Sequence, residues 1–189
     1  KRDDLIHPHV QGNKWRKLKY NLLEARLNGY HTLLTFGGAY SNHIYATAAA
    51  AKLFHFKSIG IIRGDENSMQ SPTLQFSASQ GMELHCMDRK SYLHKDEIEN
   101  IESLRVQLGD FYHIPEGGTN IFALEGVEEI ISELNIDYDY ICTACGTGGT
   151  LAGLVSGLKG KKKLIGFSSL KGTDTLTHNV SELAHTYIG

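Results

Sequence analysis

Three short strings carry residue types that could do chemistry. In Gly12-Asn13-Lys14-Trp15-Arg16-Lys17, Lys14 follows a Gly-Asn pair and opens a run of apolar residues at helical spacing. An amine at that place lies in the positive field of a helix N-terminus, which lowers its pKa and favours the free, nucleophilic form. Lysines on helices are ordinarily solvated, and Lys17 and Lys19 read that way. Far along the chain stands Gly146-Thr147-Gly148-Gly149-Thr150. Glycines let backbone N–H groups come close to an anion, the following helix adds a favourable dipole, and the two threonines add hydroxyls: a phosphate cradle. No Lys-Ser or Lys-Thr follows, and Leu151 breaks the G-x-G-x-x-G pattern, so neither a Walker loop nor a dinucleotide fingerprint fits. Without a ligand the string would be a tight turn. The third string is Gly37-Gly38-Ala39-Tyr40-Ser41-Asn42-His43. Ser41 and Asn42 are good helix caps, while the glycine pair implies that something approaches the backbone. From these residues alone, cap and site both stay open.

The elements that must position these strings alternate regularly. Helical spacing marks Asn13–Asn28, Ser41–Leu53, Pro72–Ser79, Asp96–Leu108, Asn120–Leu134 and Thr150–Leu158. Short apolar runs mark strands at His31–Phe36, Lys57–Arg63, Glu83–Met87, Phe111–Ile114, Tyr138–Thr143 and Lys163–Phe167. Such alternation predicts βαβ units and a mostly parallel sheet, with ligands beyond the carboxyl ends of the strands. That rule selects the loops after His31–Phe36 and Tyr138–Thr143, which are the two glycine-rich ones.

The 189 residues, with 41% hydrophobic and 21% charged, describe an ordinary globular chain. A net charge of −2 gives no reason to expect nucleic acid or an anionic membrane as partner. No apolar run has membrane-spanning length. Lys159, Lys161, Lys162 and Lys163 read as a solvated turn. Three cysteines, Cys86, Cys142 and Cys145, are too few for a disulfide framework and predict a reducing, cytoplasmic setting. Cys142-Thr143-Ala144-Cys145 has CxxC spacing but ends a strand instead of opening a helix, which weakens a redox reading. A lone pair is also a poor zinc signal.

Taken in order, the strings KRDDL, GNKWRKLKYNL, TFGGAYSNH, PEGGTN and ACGTGGTLAGL resemble the family of D-cysteine desulfhydrase and 1-aminocyclopropane-1-carboxylate deaminase, among the fold-type II pyridoxal-phosphate enzymes. The resemblance implies an α/β protein of two three-layer α/β/α domains with mostly parallel sheets, tryptophan-synthase-β-like. Residues 1–32 and 112–189 would belong to a large cofactor domain, and 33–111 to a small inserted one. It implies pyridoxal 5'-phosphate held on Lys14 as a Schiff base, with Lys14 then shuttling protons. Asn42 would bond the cofactor's phenolic oxygen, and Gly146, Thr147, Gly148, Gly149 and Thr150 its phosphate. Ser41, Asn42, His43 and Gly118 would face the substrate, with Ser41 assisting proton transfer. The implied reaction is deamination of a small amino acid to a 2-oxoacid and ammonia. His43 and the glycine-rich phosphate loop lean toward the desulfhydrase side, whereas Tyr40 and Tyr45 depart from the commoner residues and leave room for another substrate. Alternatives are a β-replacement enzyme of the cysteine-synthase type and a non-catalytic relative that binds the cofactor or a nucleotide. Family members are usually homodimers and continue beyond this span, so the partner of the pyridine nitrogen is expected outside it.

Overall fold

A computed structural model describes residues 1–169 and 175–188. The apolar runs pair into two parallel sheets. β1 (Thr32–Gly38), β2 (Lys57–Arg63), β3 (Met82–Met87) and β4 (Tyr112–Ile114) lie in the order β3-β2-β1-β4, while β5 (Tyr140–Cys145) pairs with β6 (Lys163–Ser168). The helices are α1 (Asn13–Leu27), α2 (Asn42–Leu53), α3 (Pro72–Ser79), the single turn α4 (Arg89–Tyr92), α5 (Ile98–Leu108), α6 (Ile121–Ser132), α7 (Gly149–Leu158) and α8 (Thr175–Ile188). Most bounds fall within two residues of those expected, and β2 and α3 match. No element is expected from the sequence pattern after Phe167, so α8 is an addition. Its apolar residues Leu176, Val180, Leu183 and Tyr187 recur at helical spacing between polar neighbours and pack beside Leu124 and Ala152. Residues 170–174 and Gly189 of the expected large domain lie outside the described residues.

β1 is buried on both faces, which explains its apolar run, broken only by the buried Thr35. Leu34 and Phe36 sit in register with Ile59 and Ile61 and pack on Tyr92, Leu104 and Phe111. On the other face Leu33 meets Ala46, Ala49 and Ala50, whose small side chains let α2 lie close to the sheet. β4 hydrogen-bonds to β1, so we propose that the smaller unit runs to Ile114 instead of ending at residue 111. Among the described residues no helix is long and apolar enough to cross a membrane.

α1 is bound tightly to α6. A Cβ at Gly126 would stand 2.0 Å from the Arg16 carbonyl oxygen, a backbone atom that cannot swing away. The Arg16 guanidinium, 4% exposed, donates to both oxygens of Asp3 at 3.2 Å and to Glu133 at 2.5 and 2.8 Å. KRDDL therefore serves the structure, since its Asp3 neutralises a buried cation of α1. Arg16 and Lys1 together hold the Glu133 carboxyl down at about 2. Gly126→Ala should destabilise the protein by about 1–3 kcal/mol through overpacking, read as a lower denaturation midpoint at unchanged slope. The Glu133 contribution should be present above its ordinary pKa of 4.5 and lost as pH falls toward about 2; acid unfolding of Glu133→Gln should lack that step.

Candidate active site

In the order β3-β2-β1-β4 the chain leaves β1 toward β2 on one side and returns as β4 on the other. A crevice therefore opens beyond the carboxyl ends of β1 and β4. Gly37–His43 leaves the first strand and Pro115–Asn120 the second. The start of α1 and the loop after β5 converge with the second of these loops.

Two amines meet on one carbonyl there. Lys14 Nζ lies 3.2 Å from the Gly117 oxygen, and Lys17 Nζ lies 3.0 Å from it. Lys17 also donates to the hydroxyls of Thr119 at 2.9 Å and Thr147 at 3.4 Å. Burial lowers the Lys14 pKa to about 8 by desolvation, in the direction expected from its place in the chain. Lys17 lies well below its ordinary value, through burial first and the charge of Lys14 second. The expectation that Lys17 is solvated is overturned, since it is 2% exposed. The reason is helical geometry: positions 14, 17, 18 and 21 share one face of α1, and Leu18 and Asn21 are fully buried on it. That spacing was a usable signal. Lys19 is half-exposed and pairs with Glu129 at 2.6 Å.

The loop after β5 closes against this lysine pair. Gly148 caps α7 at φ +87°, and a Cβ at Gly149 would stand 2.8 Å from Thr119 and 3.0 Å from Lys17 Nζ. Thr147 and Thr119 share a 2.6 Å hydroxyl contact. Thr150 accepts from the Asn13 side chain at 2.8 Å, which leaves its own hydroxyl proton free to donate. Asn13 is thus a site residue that residue types alone did not single out. Gly146 is open, with nothing near a Cβ built on it. Between these groups lies a cavity of about 140 Å³ lined by Lys14, Lys17 and Gly146–Gly148.

This environment fits a phosphate. Lys17 has no carboxylate partner among the described residues, and its three acceptors are one carbonyl and two hydroxyls. A buried cation without a counter-charge is costly. A phosphate at the α7 N-terminus would supply that charge and take the loop N–H groups. Lys14 adds an amine already shifted toward its free form.

The residues around the third string divide. Ser41 is the cap of α2, accepting from the Ile44 N–H at 3.3 Å. Asn42 is exposed at the start of that helix. His43 is buried, with Nε2 2.9 Å from the Thr35 hydroxyl. Gly118, at φ +69°, lies against it: a Cβ there would be 2.9 Å from His43 Cε1 and 3.5 Å from Lys17 Cβ. Asn120 turns away from the lysine pair. It caps α6 at Ala123 N and exchanges hydrogen bonds with Asn21, at 2.7 and 3.1 Å. The CxxC pair gains no support, because Cys142 is exposed and Cys145 buried on one strand.

Fold and site together define an α/β protein of fold-type II, with two lysines and a glycine-threonine loop at the crevice of a parallel sheet. The chain belongs to the pyridoxal-phosphate dependent enzyme family, whose model matches residues 1–186; the family's cofactor is pyridoxal 5'-phosphate. A Thermotoga maritima protein, named as a candidate 1-aminocyclopropane-1-carboxylate deaminase, is 37% identical over 165 residues, covering 84% of this chain and 53% of its own. The Arabidopsis thaliana mitochondrial protein named bifunctional D-cysteine desulfhydrase/1-aminocyclopropane-1-carboxylate deaminase is 33% identical, covering 83% of this chain and 44% of its own. A crystal structure described as an ACC deaminase homologue superposes with a TM-score of 0.86 at 31% identity, over 99% of this chain and 60% of that one. The chain spans about half the length of the curated relatives it matches.

The lowered Lys14 pKa has a sign that can be checked. Between about 8 and the ordinary 10.5 the unfolded chain keeps a proton on Lys14 that the folded one has lost, so this group makes stability rise with pH across that window. Lys14→Met should flatten that rise in denaturant titrations.

Proposed function

We propose that this chain carries the cofactor-attachment and phosphate sites of an enzyme that deaminates a small amino acid. The observation that carries the reading is the pair of amines on the Gly117 carbonyl, Lys17 buried and Lys14 half-buried, beside the Gly146–Thr150 loop. In this reading Lys14 is the attachment point, and its freed amine moves the proton at the substrate's Cα. Its low pKa suits both tasks, since an amine near neutrality is a competent base. Gly146, Thr147, Gly148, Gly149 and Thr150 hold the phosphate, with Lys17 as its counter-charge. Pyridoxal phosphate, when bound, withdraws electrons from the Cα of an attached amino acid.

In this reading Asn42, exposed at the start of α2, meets the cofactor ring, and Ser41 beside it meets the substrate carboxylate. His43 and Gly118 form the wall behind them. The expected reaction is of the D-cysteine desulfhydrase type: water and the amino acid give a 2-oxoacid, ammonia and the β-thiol as sulfide. Ring opening of 1-aminocyclopropane-1-carboxylate to a 2-oxoacid and ammonia is the neighbouring chemistry. The names of the relatives support this pair. We further infer a homodimer, from family resemblance, and a cytoplasmic setting, from the few free cysteines.

Purified full-length protein should be yellow, and borohydride should fix the cofactor on Lys14. A colourless protein, or fixation on another lysine, would refute the assignment. Lys17→Met should weaken binding of pyridoxal phosphate by about tenfold to a hundredfold, the scale of a charge-assisted hydrogen bond, measured by absorbance titration. Pyruvate release from D-cysteine, set against 2-oxobutanoate from the cyclopropane substrate, separates the two chemistries.

A further inference from the structure

Beside the lysine pair, burial leaves one polar atom without a partner. His43 is 2% exposed, and its Nδ1 makes no hydrogen bond. The other ring nitrogen, Nε2, lies 2.9 Å from the Thr35 hydroxyl. Thr35 is fully buried on β1, and its hydroxyl stands 2.8 Å from the Ile114 carbonyl oxygen on β4. A carbonyl can only accept, so the single hydroxyl proton of Thr35 goes to it. The Thr35 oxygen is then left to accept, and Nε2 must be the donor. A neutral imidazole has one N–H, so Nδ1 is a bare lone pair. The β1–β4 register imposes this, since Thr35 pairs with Ile114.

That lone pair lies against the turn used by the lysines. A Cβ at Gly118 would stand 3.3 Å from Nδ1, and Gly118 adjoins the carbonyl that takes both amines. Burial, with the charges of Lys14 and Lys17, keeps the imidazole well below its ordinary pKa, so the ring does not acquire a second proton. A buried acceptor left unpaired is unfavourable, and the charges close enough to act on this ring are the amines of Lys14 and Lys17. A neutral acceptor suits such a donor. A carboxylate would raise the amine's pKa and keep it charged, whereas an imidazole lone pair orients it without adding a charge.

We propose that Thr35 is a positioning residue: through His43 it holds a proton-free Nδ1 against the Gly117–Gly118 turn, as the acceptor for the Lys14 amine when that amine leaves the Gly117 carbonyl. The proposal rests on Lys14 being the cofactor-bearing lysine.

The test uses full-length protein labelled with ¹⁵N at histidine, compared with Thr35→Val, which keeps shape but loses the hydroxyl, and Thr35→Ser, which keeps the hydroxyl. In the unsubstituted protein and in Thr35→Ser, His43 should show a protonated Nε2 and an unprotonated Nδ1 at neutral pH. In Thr35→Val both nitrogens should show exchange between tautomers. With D-cysteine, kcat should fall about tenfold in Thr35→Val, the scale of one oriented hydrogen bond, with KM and cofactor absorbance retained. Thr35→Ser should restore it. A charged ring or a protonated Nδ1 in the unsubstituted protein overturns the proposal and needs no variant to fold. A Thr35→Val enzyme that loses thermal stability but keeps kcat overturns it as well, since that marks a packing role. Failure to fix cofactor on Lys14 is a separate result, which removes the functional reading and the amine's role with it, whatever the tautomer.

Discussion

Two lysine amines placed on one backbone carbonyl set the terms for everything around them. Like charges repel, and burial makes both amines still less willing to carry a proton. The Gly117 oxygen can accept from both because it has two lone pairs. It points at them because Gly117 takes φ +71°, and a side chain at that residue would strike Thr147 at 2.8 Å. Glycine at position 117 is therefore demanded by the closeness of Thr147, which with Thr119 supplies the other acceptors of Lys17. A site that concentrates donors and hydroxyls in this way, with no carboxylate beside Lys17 among the described residues, is prepared for an anion before any anion arrives.

Keeping the amines there requires α1 to be immobile. Its outer face is held by the Arg16 network to Asp3 and Glu133 and by the close approach at Gly126. Its inner face is held by Asn21, whose side chain bonds Asn120 and takes the Tyr112 hydroxyl at 3.2 Å. Asn120 in turn caps α6 and ends the loop that carries Gly117. One continuous polar network thus links the helix that bears the lysines to the turn that receives them. Such networks rigidify a site when every member is satisfied.

The site was unevenly legible in the sequence. The place of the Gly146–Thr150 string between a strand and a helix could be read directly, and the structure puts it between β5 and α7. Lys14 could be nominated from its place at the start of a helix, but its withdrawal from water, which lowers its pKa, could not be read there. Ser41 has the cap role its residue type allows. Lys17 was misjudged, since a lysine on a helix is usually solvated, although its place beside Leu18 and three residues from Lys14 put it on the buried face. Asn13 and Thr35 carry no local signal, because their partners, Thr150 and the Ile114 carbonyl, are remote in the chain.

The sequence by itself determined the alternation of strands and helices, the parallel sheets, the two glycine loops and the family. Each of these follows from local spacing, propensity or short strings. Only the tertiary structure decided which lysines lose their water, which carbonyl they share and which nitrogen of His43 keeps its proton. Those depend on groups about a hundred residues apart, as Lys17 is from Gly117, or on the register of two strands that are not consecutive, as Thr35 is placed against Ile114. Desolvation and hydrogen-bond direction are properties of an assembled neighbourhood, and no window along the chain contains one.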